Sequence, residues 1–197
     1  MRVILASASP RRKELLGTVC ESFEIIVSSA DETVSADVHP KDSVRILAER
    51  KGRAVFDLLN ENQQADSVVI SSDTLVELDG EPLGKPVSEN DAYNMLRSLS
   101  GKRHNVHTGI AIHCGKSVYS ATATTGVFFR EMSDDEIYEY IKSGEPMDKA
   151  GSYGIQGLGG KFVDKIEGDF DTVVGFCIKL LLDLAKEAGV EFLFSEK

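Results

Sequence analysis

At 197 residues, with 42% hydrophobic and 27% charged residues, the chain is long enough to bury a core and too apolar to belong to the disordered class. A formal net charge of −10 argues against a protein that binds by coating a nucleic-acid backbone with cations, so nucleic acid is not an expected partner. A small phosphorylated ligand stays open, because a few cations gathered in one cleft dominate the local potential whatever the total.

Cys20, Cys114 and Cys177 are odd in number and widely spaced, with no CxxC pair, which points away from a disulfide framework or zinc site and towards a reducing cytosol. The opening MRVILAS turns polar too soon for a signal peptide, and no apolar run approaches the ~18 residues of a membrane span. A cytoplasmic setting without a membrane partner is therefore expected.

Short apolar runs alternate with amphipathic stretches throughout, without repeats or a linker, and residues 1–197 read as a single α/β domain. A strand over Arg2–Ala6 leads through the SASP turn into a helix from Pro10, with Ser9 as N-cap and proline at the first helical position. A second strand, Phe23–Val27, precedes a polar loop and a long helix over roughly Lys41–Asn60. The helix stripe is Val44, Leu47, Ala48, Val55, Leu58 and Leu59, with Lys51 inside it.

Ser67–Leu78 reads as a buried strand interrupted by Ser71, Ser72 and Asp73, and Asp79-Gly80 as a turn. A capped helix runs from Ser88 to a stop at Gly101, and His107–Phe129 forms an antiparallel hairpin with Gly115-Lys116 at its tip. Ser133 and Glu136 make a capping box for a helix to Ser143, which Gly144 stops. DKAGSYGIQGLGG holds five glycines between Gly151 and Gly160, which suggests backbone shaped to lie against something. A last helix spans about Val173–Ala188.

The segment Ser7–Arg12 sets two arginines at a helix start, where free N–H groups and guanidinium forks form a place for phosphate; the plainer reading is a helix start with solvated arginines. Lys51 reads as a snorkelling stem or a ligand cation, and Lys85, in LGKP, as a loop lysine. Asp73 comes two serines after the apolar Val68-Val69-Ile70, near the end of a strand that should be central. Buried acids need a partner or a metal, and ligands bind at strand ends in open α/β sheets, although a turn-capping role fits the local pattern equally well. Asp31 and Glu32 are either further carboxylate ligands for Mg²⁺ or a solvated acidic loop. The histidines His39, His104, His107 and His113 lack metal spacing, and the absence of GxSxG or Walker A patterns disfavours a covalent or P-loop mechanism.

In order, LASASPRRKELL, LAERKGRA, VVISSDTLVELDGEPLGKP, LSGKRHNVHTGIAI, SGEPMDKAGSYGIQGLGGKFV and IEGDFDTVVG resemble the Maf family of nucleotide pyrophosphatases, originally linked to septum formation. The resemblance covers nearly the whole chain. It implies an α/β fold similar to inosine triphosphate pyrophosphatases: an elongated mixed β-sheet flanked by helices, two lobes and a central cleft. It also implies a homodimer, as in many members; a divalent cation, Mg²⁺ or Mn²⁺, with Glu32 and Asp73 as metal ligands, is the expectation from the carboxylates themselves.

By the same resemblance, Asp73 is the catalytic acid. Ser7, Arg11, Arg12, Lys51, Thr74, Lys85 and Gln156 bind substrate, and Arg11, Thr74 and Gln156 choose it. The DKAGSYGIQG form looks like the branch acting on dTTP and UTP, which also implies a role against modified pyrimidine nucleotides. The septum association implies an alternative, a non-catalytic nucleotide-binding regulator of cell division. Two departures stand out: Ser71-Ser72 replaces the usual Gly-Ala before Asp73-Thr74, and Val173–Cys177 ends in FC rather than LP, which puts the start of the last helix in doubt.

Overall fold

Three long strands carry the architecture of the computed structural model, which describes residues 1–191. They are β3 (Ser67–Leu78), β5 (Arg103–Cys114) and β6 (Ser117–Phe129), joined antiparallel through β5. Short strands dress their ends: β1 (Arg2–Leu5), β2 (Glu24–Ile25), β4 (Glu81–Leu83) and β7 (Val163–Glu167). The seven-stranded sheet has the order β2-β1-β3-β5-β6-β7, with β4 also on β3. It is mixed, because β1 runs parallel to both β2 and β3.

A 12-residue strand is about 40 Å long, more than one helical layer of this size covers. The apolar residues accordingly form separate clusters along the same strands. At one end Val68 and Ile70 of β3 and Ile110 and Ile112 of β5 pack with Phe176 and Leu181. At the other, Val76 and Leu78, further along β3, join Leu96, Val127, Ile137 and Phe162. These are the two lobes. The opposite face of the first lobe is closed by Ile4, Val55, Phe56 and Val69. Each fully buried Leu, Ile or Phe contributes about 1.5–3 kcal/mol, so both ends have a real core.

The helices start where the caps predict. Ser9 accepts from Arg12 N–H ahead of α1 (Pro10–Gly17), and Ser133 with Glu136 completes a capping box on α5 (Asp134–Lys142). Ser88 caps α4 (Glu89–Leu99). The long helix differs at its end: α2 covers Pro40–Phe56, capped by His39, and Asn60 with Gln63 then opens a separate short α3 (Glu61–Ala65). Leu58, counted in the apolar stripe, therefore lies past the helix and is exposed.

The final helix is two pieces, α6 (Phe170–Val174) and α7 (Ile178–Glu187), because Gly175 takes the left-handed conformation at φ 110°. Helix α7 begins without a side-chain cap at Cys177, so the missing proline does not prevent it from forming. The second strand shrinks to two residues, the hairpin begins at Arg103 rather than His107, and β4 and β7 are additions to the expected set.

Candidate active site

The site begins with a gap in a sheet edge. β5 lines one side of β3 from Val68 to Glu77, so β1 and β4 share the other side. β1 pairs only as far as Ile70 and β4 takes over only at Val76. Between them no strand of the described residues covers β3, and its burial relaxes at Asp73–Leu75. A sheet edge leaves backbone groups unpaired. The Ser72 carbonyl there is taken by Arg12 Nη1 at 2.6 Å.

Alternation along β3 divides the neighbouring side chains between two faces. Ser71 points at α2, where its hydroxyl donates to the Ala48 carbonyl at 2.6 Å, and Asp73 follows on the same face. The α2 side chain that meets it is Lys51, whose Nζ lies 2.6 Å from Asp73 Oδ1 and 2.9 Å from Glu32 Oε2. Lys51 and Asp73 side chains are each 13% exposed and Glu32 is 64% exposed, so the pair sits at the cleft wall with Glu32 reaching in from the loop. Helix α2 gets this close because of two glycines: a Cβ on Gly109 would be 2.3 Å from the Val44 carbonyl, and one on Gly52 would be 2.6 Å from Ser71 Oγ.

On the other face Ser72 and Thr74 meet the α6–α7 junction. The Gly175 carbonyl accepts from Arg12 Nε at 3.0 Å, Ser72 Oγ at 3.1 Å and Thr74 Oγ1 at 3.4 Å. Arg12 Nη2 also reaches Thr74 Oγ1 at 3.2 Å, and buried Ser7 Oγ lies 3.5 Å from Nη1. Burial pulls the Arg12 guanidinium below its ordinary pKa and neighbouring Arg11 adds to this, while Asp73 works against it. A cation already short of solvent is a strong anion partner. Gly175 and the Ser72 carbonyl are the components that sequence reasoning missed; a glycine inside an otherwise apolar helical run was the available signal.

Arg11 stands half-exposed beside Arg12, in a first helical turn that carries no acid; the Asp148 carboxyl is held below the usual range by the bond from Lys149, to which Arg11 adds a smaller effect. Asp148 belongs to the 3₁₀ turn Glu145–Asp148, whose Met147 packs on the second lobe's core. Lys85 is exposed, one residue after Gly84, whose carbonyl accepts from Gly151 N–H at 3.0 Å. Gln156 is exposed at the crown of the glycine-rich loop. The structure thus gathers Ser7, Arg12, Lys51, Asp73, Thr74 and Glu32 around the gap. Arg11 is half-exposed, and Lys85 and Gln156 are exposed on segments outside that cluster.

The histidines serve the framework. His39 Nδ1 caps α2, buried His107 bonds Glu77 and Thr124, His113 donates to the Glu49 carbonyl, and His104 bonds Tyr153. No three His, Cys, Asp or Glu residues come together as a metal cluster among the described residues. Mg²⁺, however, is commonly held by one or two carboxylates plus substrate phosphates and water. The oxygens of Asp73 and Glu32, converging on one ammonium, fit that donor set.

A long mixed sheet, two lobes and a cleft rich in cations around one carboxylate define an α/β protein built to hold a polyanionic small molecule. The fold matches that of the Staphylococcus aureus Ham1 protein, with a TM-score of 0.52 over 96% of this chain and 99% of the other, at 17% identity. The chain belongs to the Maf-like protein family, whose model matches residues 2–188. Similar proteins include the dTTP/UTP pyrophosphatase of Bdellovibrio bacteriovorus, 45% identical over 92% of this chain and 96% of the relative. Those of Thermococcus kodakarensis (46% identical, 97% and 98% covered) and Bacillus cereus (44%, 96% and 97%) carry the same name.

Proposed function

We propose that this protein hydrolyses dTTP and UTP, and modified pyrimidine triphosphates of the same shape, to the monophosphate and pyrophosphate. The observation that carries the reading is Asp73: a carboxylate at a break in the sheet edge, 13% exposed and 2.6 Å from Lys51. Full-length relatives that bear the pyrophosphatase name support it.

In the reaction, water attacks the α-phosphorus, the α–β anhydride bond breaks, and pyrophosphate leaves with the bonding electron pair. Asp73 orients this water and takes its proton, a contribution typically worth ~10²–10⁴-fold. Lys51, Arg11, Arg12 and Lys85 offset the negative charge of the phosphates and of the departing pyrophosphate, while Ser7 and the Arg11 N–H at the start of α1 receive phosphate oxygens. Glu32 and Asp73 would hold a divalent cation, Mg²⁺ or Mn²⁺. When bound, it supplies charge neutralisation at the phosphates. Thr74 orients Arg12 and, with Arg11, shapes the site for its substrate. Gln156, which both donates and accepts, reads the edge of the pyrimidine.

The same proposal has residues 1–197 acting as one domain, since β3, β5 and β6 run through both lobes. A homodimer in the cytoplasm completes it. The described cysteines are all free, and no described helix is long and apolar enough to cross a membrane.

The test is a panel of dTTP, UTP, ATP and GTP with Mg²⁺, scored by identified products. Pyrophosphate and monophosphate from the pyrimidine substrates are expected. Nucleotide binding without pyrophosphate release would replace the enzyme with a non-catalytic regulator of cell division, and equal rates on all four would remove the pyrimidine preference.

A further inference from the structure

The glycines of DKAGSYGIQGLGG lie against the protein's own side chains. A Cβ on Gly157 would sit 2.4 Å from Glu145 Oε2, one on Gly159 2.5 Å from the Tyr140 hydroxyl, and one on Gly154 2.8 Å from Lys149 Cε. The loop is wrapped around a carboxylate and a phenol. Glu145 Oε2 accepts from Leu158 N–H at 2.9 Å, and Oε1 accepts from Gly159 N–H at 3.1 Å and from the Tyr140 hydroxyl at 2.8 Å. The Tyr140 oxygen in turn accepts from Gly154 N–H at 3.1 Å. Both ends of the loop therefore converge on one Glu145–Tyr140 unit, and Gln156 is carried outward at its crown.

We infer that Glu145 is the positioning residue of the base-reading loop, fixing how Gln156 is presented to the pyrimidine; this rests on the substrate reading above. The chemistry calls for a carboxylate. Every donor aimed at it is an N–H or O–H, and only an ionised carboxylate accepts on both oxygens. An amide in either orientation would turn its NH₂ against a backbone N–H. Bonds from amides to a charged acceptor are also roughly twice as strong as neutral ones, which suits a loop whose glycines carry a high ordering cost.

Burial works to raise the Glu145 pKa, but the bonds from Leu158, Tyr140 and Gly159 outweigh it and hold the carboxyl below the usual range. Burial and Glu145 push the Tyr140 phenol up, so it stays a donor. At the neighbouring position Tyr153 is anchored separately, by its hydroxyl bond to His104 Nε2 at 2.9 Å and an edge-to-face contact with Phe129 at 4.7 Å. That leaves Ile155 and Gln156, which the bond from Gly157 N–H to the Gly154 carbonyl at 3.2 Å closes into a turn, as the span that Glu145 docks from both sides.

The experiment compares Glu145→Gln, Gln156→Ala and the double variant on dTTP, UTP and ATP, with inorganic tripolyphosphate as a competitive probe of the phosphate end alone. Glu145→Gln should raise KM for UTP about tenfold and change kcat less than threefold. It should also narrow the preference over ATP, leave tripolyphosphate inhibition within twofold, and speed hydrogen exchange at Gly154, Leu158 and Gly159. The double variant should be no worse than Gln156→Ala, because Glu145 acts through Gln156. Multiplying losses, or an equal fall in tripolyphosphate affinity, would mean a general structural role and overturn the inference. Tyr140→Phe, which keeps the carboxylate, should show the same pattern at smaller size and serves where Glu145→Gln folds poorly. A wild type without pyrimidine preference overturns substrate reading and inference together; a preference lost in Gln156→Ala but kept in Glu145→Gln overturns the inference alone.

Discussion

Two regions reached by β3, the gap at Asp73 and the second lobe, are built by different means. At the first, long charged side chains from α1, α2 and the loop before α2 crowd around a carboxylate, with Lys51 2.6 Å from Asp73 and Arg12 bonded to Ser72 and Thr74. At the second, the material is backbone: a glycine-rich loop drawn around Glu145 and Tyr140. Triphosphate is the same in every nucleotide, so flexible cations suffice for it. A base differs from its rivals by a few polar atoms, and telling them apart requires donors and acceptors held in place.

The comparison is most directly broken at the charged region. Asp73→Asn should lower turnover on dTTP by ~10²–10⁴-fold, with the fold kept because an amide still accepts from Lys51. Steady-state kinetics beside a circular dichroism melt measure both, and an unchanged rate would remove Asp73 from the chemistry. Next in size is the packing that brings Lys51 to Asp73. Gly109→Ala puts a carbon where the Val44 carbonyl lies 2.3 Å away, so α2 must shift. A loss of roughly 1–3 kcal/mol in urea unfolding is expected, with a fall in activity although no charge has changed.

The second lobe has its own pH signature. Burial, with a smaller effect of Arg103, lowers the His104 pKa from 6.5 to about 4. An unfolded chain takes up the proton below pH 6.5 and the folded one only near pH 4. The stabilising contribution is therefore complete above pH 6.5 and is lost as pH falls towards 4, by about 3 kcal/mol at ~1.36 kcal/mol per unit. His104→Gln should flatten that part of the stability curve; identical slopes in variant and wild type would refute the assignment. The smallest effect is expected at Gln156. Gln156→Glu removes the donor half of the amide and should cost about tenfold in KM for UTP, roughly 1.4 kcal/mol, with kcat nearly unchanged.

Much of this was legible from residues alone. Ser9-Pro10, Ser88 and Ser133 with Glu136 announced three helices, because a cap is a local bond between residues three apart. Asp73 announced itself as an acid in a strand that is otherwise apolar at both ends. The Asn60–Gln63 box is equally local but lies inside what the apolar stripe marks as one long helix, and the kink at Gly175 is hidden because its neighbours continue the apolar pattern.

The sequence by itself determined the α/β alternation, the three serine-capped helix starts and the family to which the chain belongs, since each depends on neighbouring residues or on order along the chain. Only the tertiary structure decided that β1 stops short of β4 and leaves Asp73 at an opening, that Arg12 caps the Ser72 carbonyl 60 positions away, and that the glycine loop closes on Glu145. Those contacts join segments far apart in sequence. Their partners are chosen by sheet register and close packing, which no local pattern encodes.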